Sequence, residues 1–207
     1  RASVGNYLIG KYISENCDAK VIFNGDGSDE LFGGYLYMHC APDSIEFDKE
    51  SKRLLDNIHY FDVLRSDRCI SCHGLEPRTP FMDLNLIGYY LTVSYDLRNH
   101  SSNENKANKL PEKYILRKAF DNGLLPDSVL WRTKEAFSDG VSNAENSWHT
   151  IIKRRLENNK KDIMEFPNYD AKLSLEQNYY KQIFDFCYSG NEDVIPYYWM
   201  PKFTDAT

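Results

Sequence analysis

The chain has 207 residues, which is enough to bury one core of ordinary size but short for two well-built domains. Hydrophobic residues make up 42% and charged residues 27%, a balance typical of a folded globular protein rather than a disordered one. The net charge of −6 argues against nonspecific nucleic-acid binding, and no apolar run reaches the length of a membrane-spanning helix. The chain begins at Arg1 with neither an initiator Met nor a signal peptide, so we expect it to be part of a longer protein.

Taken in chain order, the first predicted elements are a helix over residues 3–15 and a short strand, Ala19 to Phe23. The strand is β-branched and aromatic, so we expect it to be buried. The turn Asn24-Gly-Asp-Gly27 follows it, and a short helix then runs from Ser28 to the pair Gly33-Gly34. One strand alone cannot pair its own backbone groups, so its sheet partners are expected upstream of this chain.

The rest of the sequence predicts mainly helices. Residues 46–71, 84–94 and 144–158 carry apolar side chains at helical spacing. Pro111 is expected to open a further helix that Gly123 stops, and the polar segment 100–109 is the best candidate for a mobile loop. Ser174 and Gln177 form a capping box, and the helix they open is predicted to turn four apolar residues inward: Leu175, Tyr179, Ile183 and Phe186.

The chain has five cysteines, at positions 17, 40, 69, 72 and 187. This odd, scattered set favours reduced thiols and a cytoplasmic location. The run from Cys69 to His73 matches the C-x-x-C-H form of covalent haem attachment, but haem would also need a secretory signal and an axial ligand. A zinc site would need a second Cys or His pair at ligand spacing. Helical spacing leads into the run, so we interpret it as the end of a helix.

The most informative segment is the acidic turn that follows the predicted strand, Asn24 to Gly34. A strand, a glycine turn and a helix N-terminus together favour a nucleotide site beyond the end of the strand. Asp26, Asp29 and Glu30 crowd together here, and such carboxylates repel one another unless a cation such as Mg²⁺ intervenes. The alternative is that they cap a helix and face water. A calcium loop is excluded, because Asp29 stands where an EF-hand requires glycine.

Two later segments combine charged, aromatic and glycine or proline residues in the same way. Gly74 to Asp83 places an Arg and an Asp around a proline-rich loop, and Trp131 to Gly140 places Arg132 and Lys134 beside aromatic residues. Each segment alone is weak evidence, although loops of this composition are where sites are commonly built. Lys134 and Asp26 lie on polar loops, so we expect their replacement to leave the fold largely intact.

In this order, the segments resemble motifs of the asparagine synthetase family. The acidic turn is similar to the family's S-G-E-G-S-D-E motif, and residues 74–83 are similar to its G-x-E-x-R-x-P-F-x-D motif. Residues 116–120 and 130–141 together are similar to the family's most distinctive signature. The resemblance implies an α/β domain of the adenine nucleotide alpha-hydrolase-like, PP-loop ATP pyrophosphatase type. Residues 1–207 would be its mostly helical C-terminal portion, with the N-terminal glutaminase domain and the PP-loop segment outside this chain.

The resemblance also implies a reaction. Aspartate attacks ATP to give β-aspartyl-AMP and pyrophosphate, and ammonia from a glutaminase domain then displaces AMP to give asparagine. ATP and Mg²⁺ would be required, nucleic acid and membrane would not be partners, and a homodimer is compatible with the family. The alternatives are a related amide- or lactam-forming synthetase and a non-catalytic interaction module built on the same fold.

The family's functional residues transfer to six positions of this chain. Asn24 and Gly25 would contact the adenosine part of ATP, and Asp26 would help to form the β-aspartyl-AMP intermediate. The other three are expected to be catalytic as well. Asp29 would lie near Mg²⁺ or the substrate ammonium, Asp83 would line the same pocket, and Lys134 would stabilise the phosphates as pyrophosphate leaves.

The sequence departs from the family pattern at the acidic turn. Asn24 stands where the family usually has Ser, and Asp26 stands where it usually has Glu, which is one methylene longer. The pyrophosphate-binding S-G-G-x-D-S motif does not occur in these 207 residues. We therefore expect residues 1–207 alone to bind nucleotide weakly and not to turn over.

Overall fold

The computed structural model describes residues 2–101, 110–140, 142, 146–194, 196–197 and 199–203. The chain divides into two compact units: a larger unit of Asn6–Lys134 with Trp199–Thr207, and a smaller unit of Arg1–Gly5 with Glu135–Tyr198. Over the described residues the structure is mostly helical, with one small sheet. Within that same part of the chain, none of the helices is both long and apolar enough to span a lipid bilayer.

The sheet is a parallel pair of short strands, β1 (Val21–Phe23) and β2 (Glu76–Arg78). Ile22 pairs with Pro77 at its centre, and the ladder extends past β1 because the Asn24 amide donates to the Arg78 carbonyl at 3.0 Å. The prediction that the strand has no partner inside this chain is therefore wrong. Its partner lies in a proline-containing segment, where residue preferences argue against a strand, so only long-range pairing reveals it.

The strand is also less buried than its composition predicts. Val21 and Phe23 are 49% and 78% exposed, although both are residue types that favour a half-buried pleated surface. In a two-stranded sheet a strand keeps one long edge and part of each face open to solvent. The expectation of a buried strand fails here for that reason.

The α-helices up to Leu130 are α1 (Ala2–Asn16), α2 (Ser28–Phe32), α3 (Ser44–Asn57), α4 (Asp62–Ser71), α5 (Leu84–Thr92), α6 (Tyr95–Arg98), α7 (Tyr114–Ala119) and α8 (Asp127–Leu130). Short 3₁₀-helices occur at Leu36–Cys40, Ile58–Tyr60 and Pro80–Met82. The predicted helix over 46–71 is thus two helices. Its break falls at Phe61, whose backbone (φ −124°, ψ −97°) is not helical.

Two clusters of buried side chains form much of the core in the described part of the larger unit. In the first, Tyr37, Met38, Ala41 and Phe47 are buried, and Tyr35, Trp199 and Phe203 pack against them. In the second, Leu31, Phe32 and Tyr90 are buried against side chains of α5, α7 and Phe81. Leu31 and Phe32 lie in the acidic turn, directly after its three carboxylates, and burying each contributes about 1.5–3 kcal/mol. The second cluster therefore anchors the turn to the core.

In the smaller unit the helices are α9 (Phe137–Gly140), α10 (Trp148–Asn158), α11 (Lys160–Met164) and α12 (Leu175–Cys187), with a 3₁₀-helix at Glu192–Val194. The capping box of Ser174 and Gln177 is confirmed. The predicted inward face of α12 is wrong for two of its four residues: Leu175 and Tyr179 are half-buried, but Ile183 and Phe186 are 44% and 85% exposed, while Asn178 and Gln182 are buried.

Polar contacts explain why α12 buries two amides. The Asn178 side chain accepts from the Asp170 amide and donates to the Asp170 carbonyl, both at 2.8 Å, and the Gln182 amide donates to the Ile163 carbonyl at 2.7 Å. These bonds satisfy backbone groups of the segment that leads into α12 and of α11, groups that would otherwise be buried without partners. Hydrophobic spacing cannot anticipate such a use of amides.

Two other predictions are corrected or fall outside the described part of the chain. The predicted helix at Pro111 starts only at Tyr114, because Lys113 before it adopts a left-handed backbone with φ 58°. The proposed mobile segment begins with His100 and Ser101, each 2% exposed, and its residues 102–109 lie outside the described residues.

The C-x-x-C-H run lies at the C-terminal end of a helix, as predicted. Cys69 lies in the last turn of α4 and Cys72 is its C-terminal cap, so the interpretation as a helix end is confirmed. All five cysteines carry free thiols.

Candidate active site

The side chain of Asn24 closes the acidic turn and ties it to one neighbouring helix. Its Oδ1 accepts from the Asp26 amide at 3.1 Å, which closes a turn of the kind that Asn favours. Its Nδ2 donates to the Ser66 Oγ at 2.8 Å, and Ser66 is a buried residue of α4. The turn that follows β1 is therefore tied to α4.

Gly27 is where the turn enters α2, and only glycine fits there. Its φ is +88°, in the left-handed region that L side chains rarely adopt, and an added Cβ would lie 2.1 Å from the Met82 Sδ. The contact with Met82 also brings the loop that precedes Asp83 against the turn.

Asp29 is the electrostatic centre of the site. The Lys113 ammonium lies 2.7 Å from its Oδ1 and the Lys134 ammonium 2.9 Å from its Oδ2. The three side chains are only 22%, 18% and 20% exposed, respectively. Lys113 also donates to the Ser28 Oγ at 2.8 Å. Two segments distant in sequence thus converge on the first turn of α2.

The two lysines determine the charge state of Asp29. Burial alone would raise the pKa of this carboxyl, but the positive charges and hydrogen bonds of Lys113 and Lys134 outweigh burial and hold the pKa below its ordinary value of 3.8. Asp29 is therefore ionised at neutral pH, and the group of three carries one net positive charge. A positive group next to a glycine turn suits a ligand that carries phosphates.

Lys113 is the site residue that sequence reasoning missed. A helix opened by Pro111 would place Lys113 in its first turn, whereas the structure gives Lys113 a left-handed backbone and its ammonium contacts Asp29. Gly34 makes room for it, since a Cβ there would lie 2.0 Å from Asp29 Oδ1 and 2.2 Å from Lys113 Cε. The signal available in the sequence was a lysine just ahead of the residue 116–120 motif, and such a signal is too weak to use alone.

A second polar group next to the charge cluster consists of Glu30, Tyr35, Asp62 and Arg65. The Tyr35 hydroxyl donates to Glu30 Oε1 at 2.7 Å and lies 3.3 Å from Asp62 Oδ2, while Arg65 contacts the other oxygen of Asp62. Burial, assisted by the negative charge of Asp62, raises the pKa of Glu30 to about 7. Burial also raises the pKa of Tyr35, so its hydroxyl keeps its proton. Glu30 therefore does not face water, contrary to the reading of the turn as a solvent-exposed cap.

The six predicted site residues are only partly brought together. Asp29 and Lys134 are in direct contact, and Asn24, Gly25 and Asp26 lie on the same turn. Asp26 is partly buried and close enough to Arg65 for its negative charge to act on that guanidinium. Gly25 is exposed, and a Cβ there would meet nothing within 4 Å.

Asp83 has a different position from the others. Its carboxylate is exposed and caps α5 by accepting from the Asn85 and Leu86 amides at 2.9 and 3.0 Å. These bonds give it a structural role as an N-cap, worth about 1 kcal/mol. Its predicted contribution to the pocket stays a prediction.

The predicted role of Asp29 toward Mg²⁺ does not fit this geometry. Each of its oxygens already contacts an ammonium group, and the described residues contain no group of three His, Cys, Asp or Glu side chains arranged to hold a metal ion. A carboxylate flanked by two cations is a poor magnesium ligand, so we assign Asp29 to the lysines and derive no step through a metal.

A strand that runs into a glycine turn, beside a partly buried charge cluster built from segments distant in sequence, is the kind of arrangement that proteins use to hold a phosphate-bearing ligand. The model of the asparagine synthase family matches residues 1–51 and 41–193, and the chain belongs to that family. The resemblance inferred from the motifs is thereby confirmed.

The chain is similar over its whole length to glutamine-hydrolyzing asparagine synthetases of vertebrates. The protein of Bos taurus is 45% identical, that of Homo sapiens 44% and that of Gallus gallus 42%, each over 214 residues that cover 100% of this chain. The chain spans 37% of the length of these relatives.

Proposed function

We propose that this chain forms part of the ATP-using synthetase domain of a glutamine-hydrolysing asparagine synthetase. The reaction would join aspartate to AMP as β-aspartyl-AMP, with release of pyrophosphate, and ammonia derived from glutamine would then displace AMP to give asparagine. The observation that carries the proposal is the cluster of Lys113, Asp29 and Lys134 at the acidic turn, in a chain that belongs to the asparagine synthase family.

The lysines are the groups best suited to the adenylation step. Negative charge builds up on the phosphates as the bond to pyrophosphate breaks, and preorganised cations in a partly buried site stabilise that charge. Lys134 is assigned this role, and Lys113 shares it through the same carboxylate. Asp29 acts by holding both ammonium groups in place, so it needs no direct contact with the substrate.

The turn itself would bind the other part of the nucleotide. Gly25 is assigned to the adenosine because it is exposed and an added Cβ would have no neighbour within 4 Å, and Asn24 is assigned there by its place in the family motif. Asp26 is assigned to the formation of the β-aspartyl-AMP intermediate, and Asp83 to the wall of the same pocket. The shorter Asp26 side chain would bring its carboxylate closer to the backbone than the Glu of other members does.

The proposal extends to the domain as a whole. We place residues 1–207 in the C-terminal part of an α/β domain of the PP-loop ATP pyrophosphatase type, whose S-G-G-x-D-S motif and glutaminase partner domain lie elsewhere in the protein. In this view the edge of β1 not bonded to β2 pairs with a further strand. A cytoplasmic location, a homodimer and a requirement for Mg²⁺ stay predictions.

Product analysis tests the reaction. The full-length protein is incubated with ATP and aspartate, with glutamine or ammonium as nitrogen donor, and AMP, ADP, pyrophosphate and asparagine are measured. Equal amounts of AMP, pyrophosphate and asparagine are expected. Release of ADP would contradict adenylation, and an amide or lactam formed without ammonia would favour a related synthetase. No nucleotide turnover at all would favour the interaction module.

The assignment of Gly25 can be tested separately from turnover. Gly25→Ala should leave the melting temperature unchanged, because the new methyl group meets nothing within 4 Å, yet it should weaken ATP binding by about tenfold if the nucleotide approaches this backbone. Gly88→Ala is the matched control, since it adds the same methyl group to open space in α5. Equal ATP affinity for the two variants, measured by calorimetric titration, would remove Gly25 from the nucleotide site.

A further inference from the structure

The segment after the smaller unit returns to the larger unit and packs beside the acidic turn. The Trp199 ring lies 5.9 Å from the Tyr35 ring and 6.2 Å from the Tyr37 ring, and Phe203 lies 6.2 Å from Tyr37. The Lys202 ammonium contacts Glu46 of α3 at 2.7 Å. These residues are separated by more than 150 positions in the sequence from the tyrosines they cover.

The two tyrosines link three helices through their hydroxyl groups. Tyr35 reaches Glu30 of α2 and Asp62 of α4, as described above. Tyr37 donates to Glu50 of α3 at 2.6 Å, and this buried carboxylate also binds Arg53. The rings stack on each other with centroids 5.9 Å apart and an interplanar angle of 18°. The hydroxyl groups of the two stacked tyrosines can reach α2, α3 and α4 together only while the rings keep this orientation.

Two of these helices carry the candidate site. α2 begins with Ser28 and Asp29, which hold the lysine pair, and α4 carries Ser66, which holds the Asn24 side chain. A shift of the Tyr35 ring would change the spacing of α2 and α4, and with it the turn between Asn24 and Asp29. The rings of Trp199 and Phe203 pack against this pair of tyrosines.

We propose that Trp199 is a positioning residue for the acidic turn, with Phe203 as its support on Tyr37. It acts through the ring of Tyr35, whose hydroxyl is held between Glu30 and Asp62, and it touches neither substrate nor the lysine pair. For its effect on catalysis the proposal rests on the function proposed above. The effect of Trp199 on the order of the turn does not depend on that function, and the effects on the turn and on catalysis are measured separately.

The turn is measured by amide hydrogen exchange of residues 24–34 in the full-length protein. Trp199→Ala should speed exchange there by about tenfold or more, because a packing contact that orders the turn is lost. Trp199→Phe keeps a ring against Tyr35 and should stay within about threefold of the unchanged protein. Leu156→Ala is the control: it removes a buried side chain of α10, in the smaller unit, and should leave exchange in 24–34 unchanged.

Tyr35→Phe provides a variant that keeps the packing and removes only the hydroxyl. If Trp199 acts through this hydroxyl, Tyr35→Phe should speed exchange in 24–34 as Trp199→Ala does, and the double variant should be no faster than either single variant. Unchanged exchange in Tyr35→Phe would overturn the proposal even if Trp199→Ala failed to fold. Additive effects would do the same, because they would mean that the two residues act independently.

Catalysis supplies the second measurement. Trp199→Ala should lower kcat for pyrophosphate release by roughly 10–100-fold, since small displacements of reacting groups cost that much. Leu156→Ala, compared well below its own melting temperature, should keep the kcat of the unchanged protein. Equal losses in both variants would contradict positioning. If the unchanged protein released no pyrophosphate, the proposed function would fail, while the exchange results would still decide the role of Trp199.

Discussion

The pairing of Asp29 with two lysines makes a quantitative prediction for Lys113, the residue that sequence reasoning missed. We consider Lys113→Met, which keeps most of the length of the side chain but removes its charge. The change deletes one ion pair with Asp29, at 2.7 Å, and one hydrogen bond to Ser28, at 2.8 Å. Asp29 keeps Lys134 as a partner, so its charge is not left uncompensated.

The expected cost is moderate for one lysine and large for two. A hydrogen bond to a charged group in a partly buried site contributes about 1.5–3 kcal/mol, which for a chain of this size lowers the melting temperature by about 3–12 °C. Lys134→Met should cost a similar amount. With both lysines replaced, Asp29 would be a largely buried and unpaired carboxylate, and the loss should exceed the sum of the single losses by about 1–2 kcal/mol.

The measurement is thermal and denaturant unfolding of the two single variants and of the double variant at pH 7. Adding Asp29→Asn to the double variant should restore part of its stability, because no buried charge is left to pair. Lys20→Met, at an exposed position, is the control and should stay within about 0.5 kcal/mol of the unchanged protein. The arrangement of charges would be refuted if the stability loss of the double variant equalled the sum of the two single losses. It would also be refuted if Asp29→Asn restored none of the lost stability.

Three further predictions concern Gly34, Asn178 and His100. Gly34→Ala should displace the Asp29 and Lys113 side chains and destabilise the protein by about 2 kcal/mol or more by denaturant unfolding, whereas Gly88→Ala should be neutral or stabilising. Asn178→Leu should cost about 1–3 kcal/mol in the same measurement, because backbone groups of Asp170 lose their partner; an unchanged midpoint would contradict this. Burial, with the neighbouring His39, lowers the pKa of His100 from 6.5 to about 3. The unfolded chain then binds a proton at this residue that the folded chain does not, so the contribution of His100 to stability should fall by about 1.4 kcal/mol per unit between pH 6.5 and about 3, and His100→Leu should remove this contribution from the pH profile measured by denaturant unfolding.

The expected effect of Lys134 replacement changes with the structure. From its place on a polar loop, removal of this side chain was expected to leave the fold largely intact. The structure pairs it with Asp29 across 105 positions of sequence, so its loss should affect stability as well as chemistry. Composition identifies a loop as polar, but it does not show which distant residue a polar side chain of that loop contacts in the folded protein.

Local chemistry accounts for the parts of the fold that could be predicted. The helix start at Ser174, the glycine turn after β1 and the helix end at Cys69 depend on residues within a few positions of one another. Their signals, a capping box, a positive φ and helical spacing, are therefore complete within a short window of sequence. The acidic turn was found for the same reason.

Features that depend on distant partners could not be predicted. Strand β2 contains a proline and two charged residues, and it pairs with β1 because the fold brings the two segments together. Lys113 leaves the helical region of backbone angles, and its contacts with Asp29 and Ser28 help to offset the cost. The local sequence therefore predicts neither the pairing of β2 with β1 nor the left-handed backbone of Lys113.

The same distinction explains how the candidate site is built. The turn supplies its acids from one short stretch, but both cations come from segments 84 and 105 positions away from Asp29. A site assembled in this way forms only when α2, α7 and the loop with Lys134 are all in place, because each lysine is ordered by the carboxylate it neutralises. Folding of the larger unit and assembly of the charge cluster are therefore one process, and a change that loosens α2 should reduce stability and phosphate chemistry together.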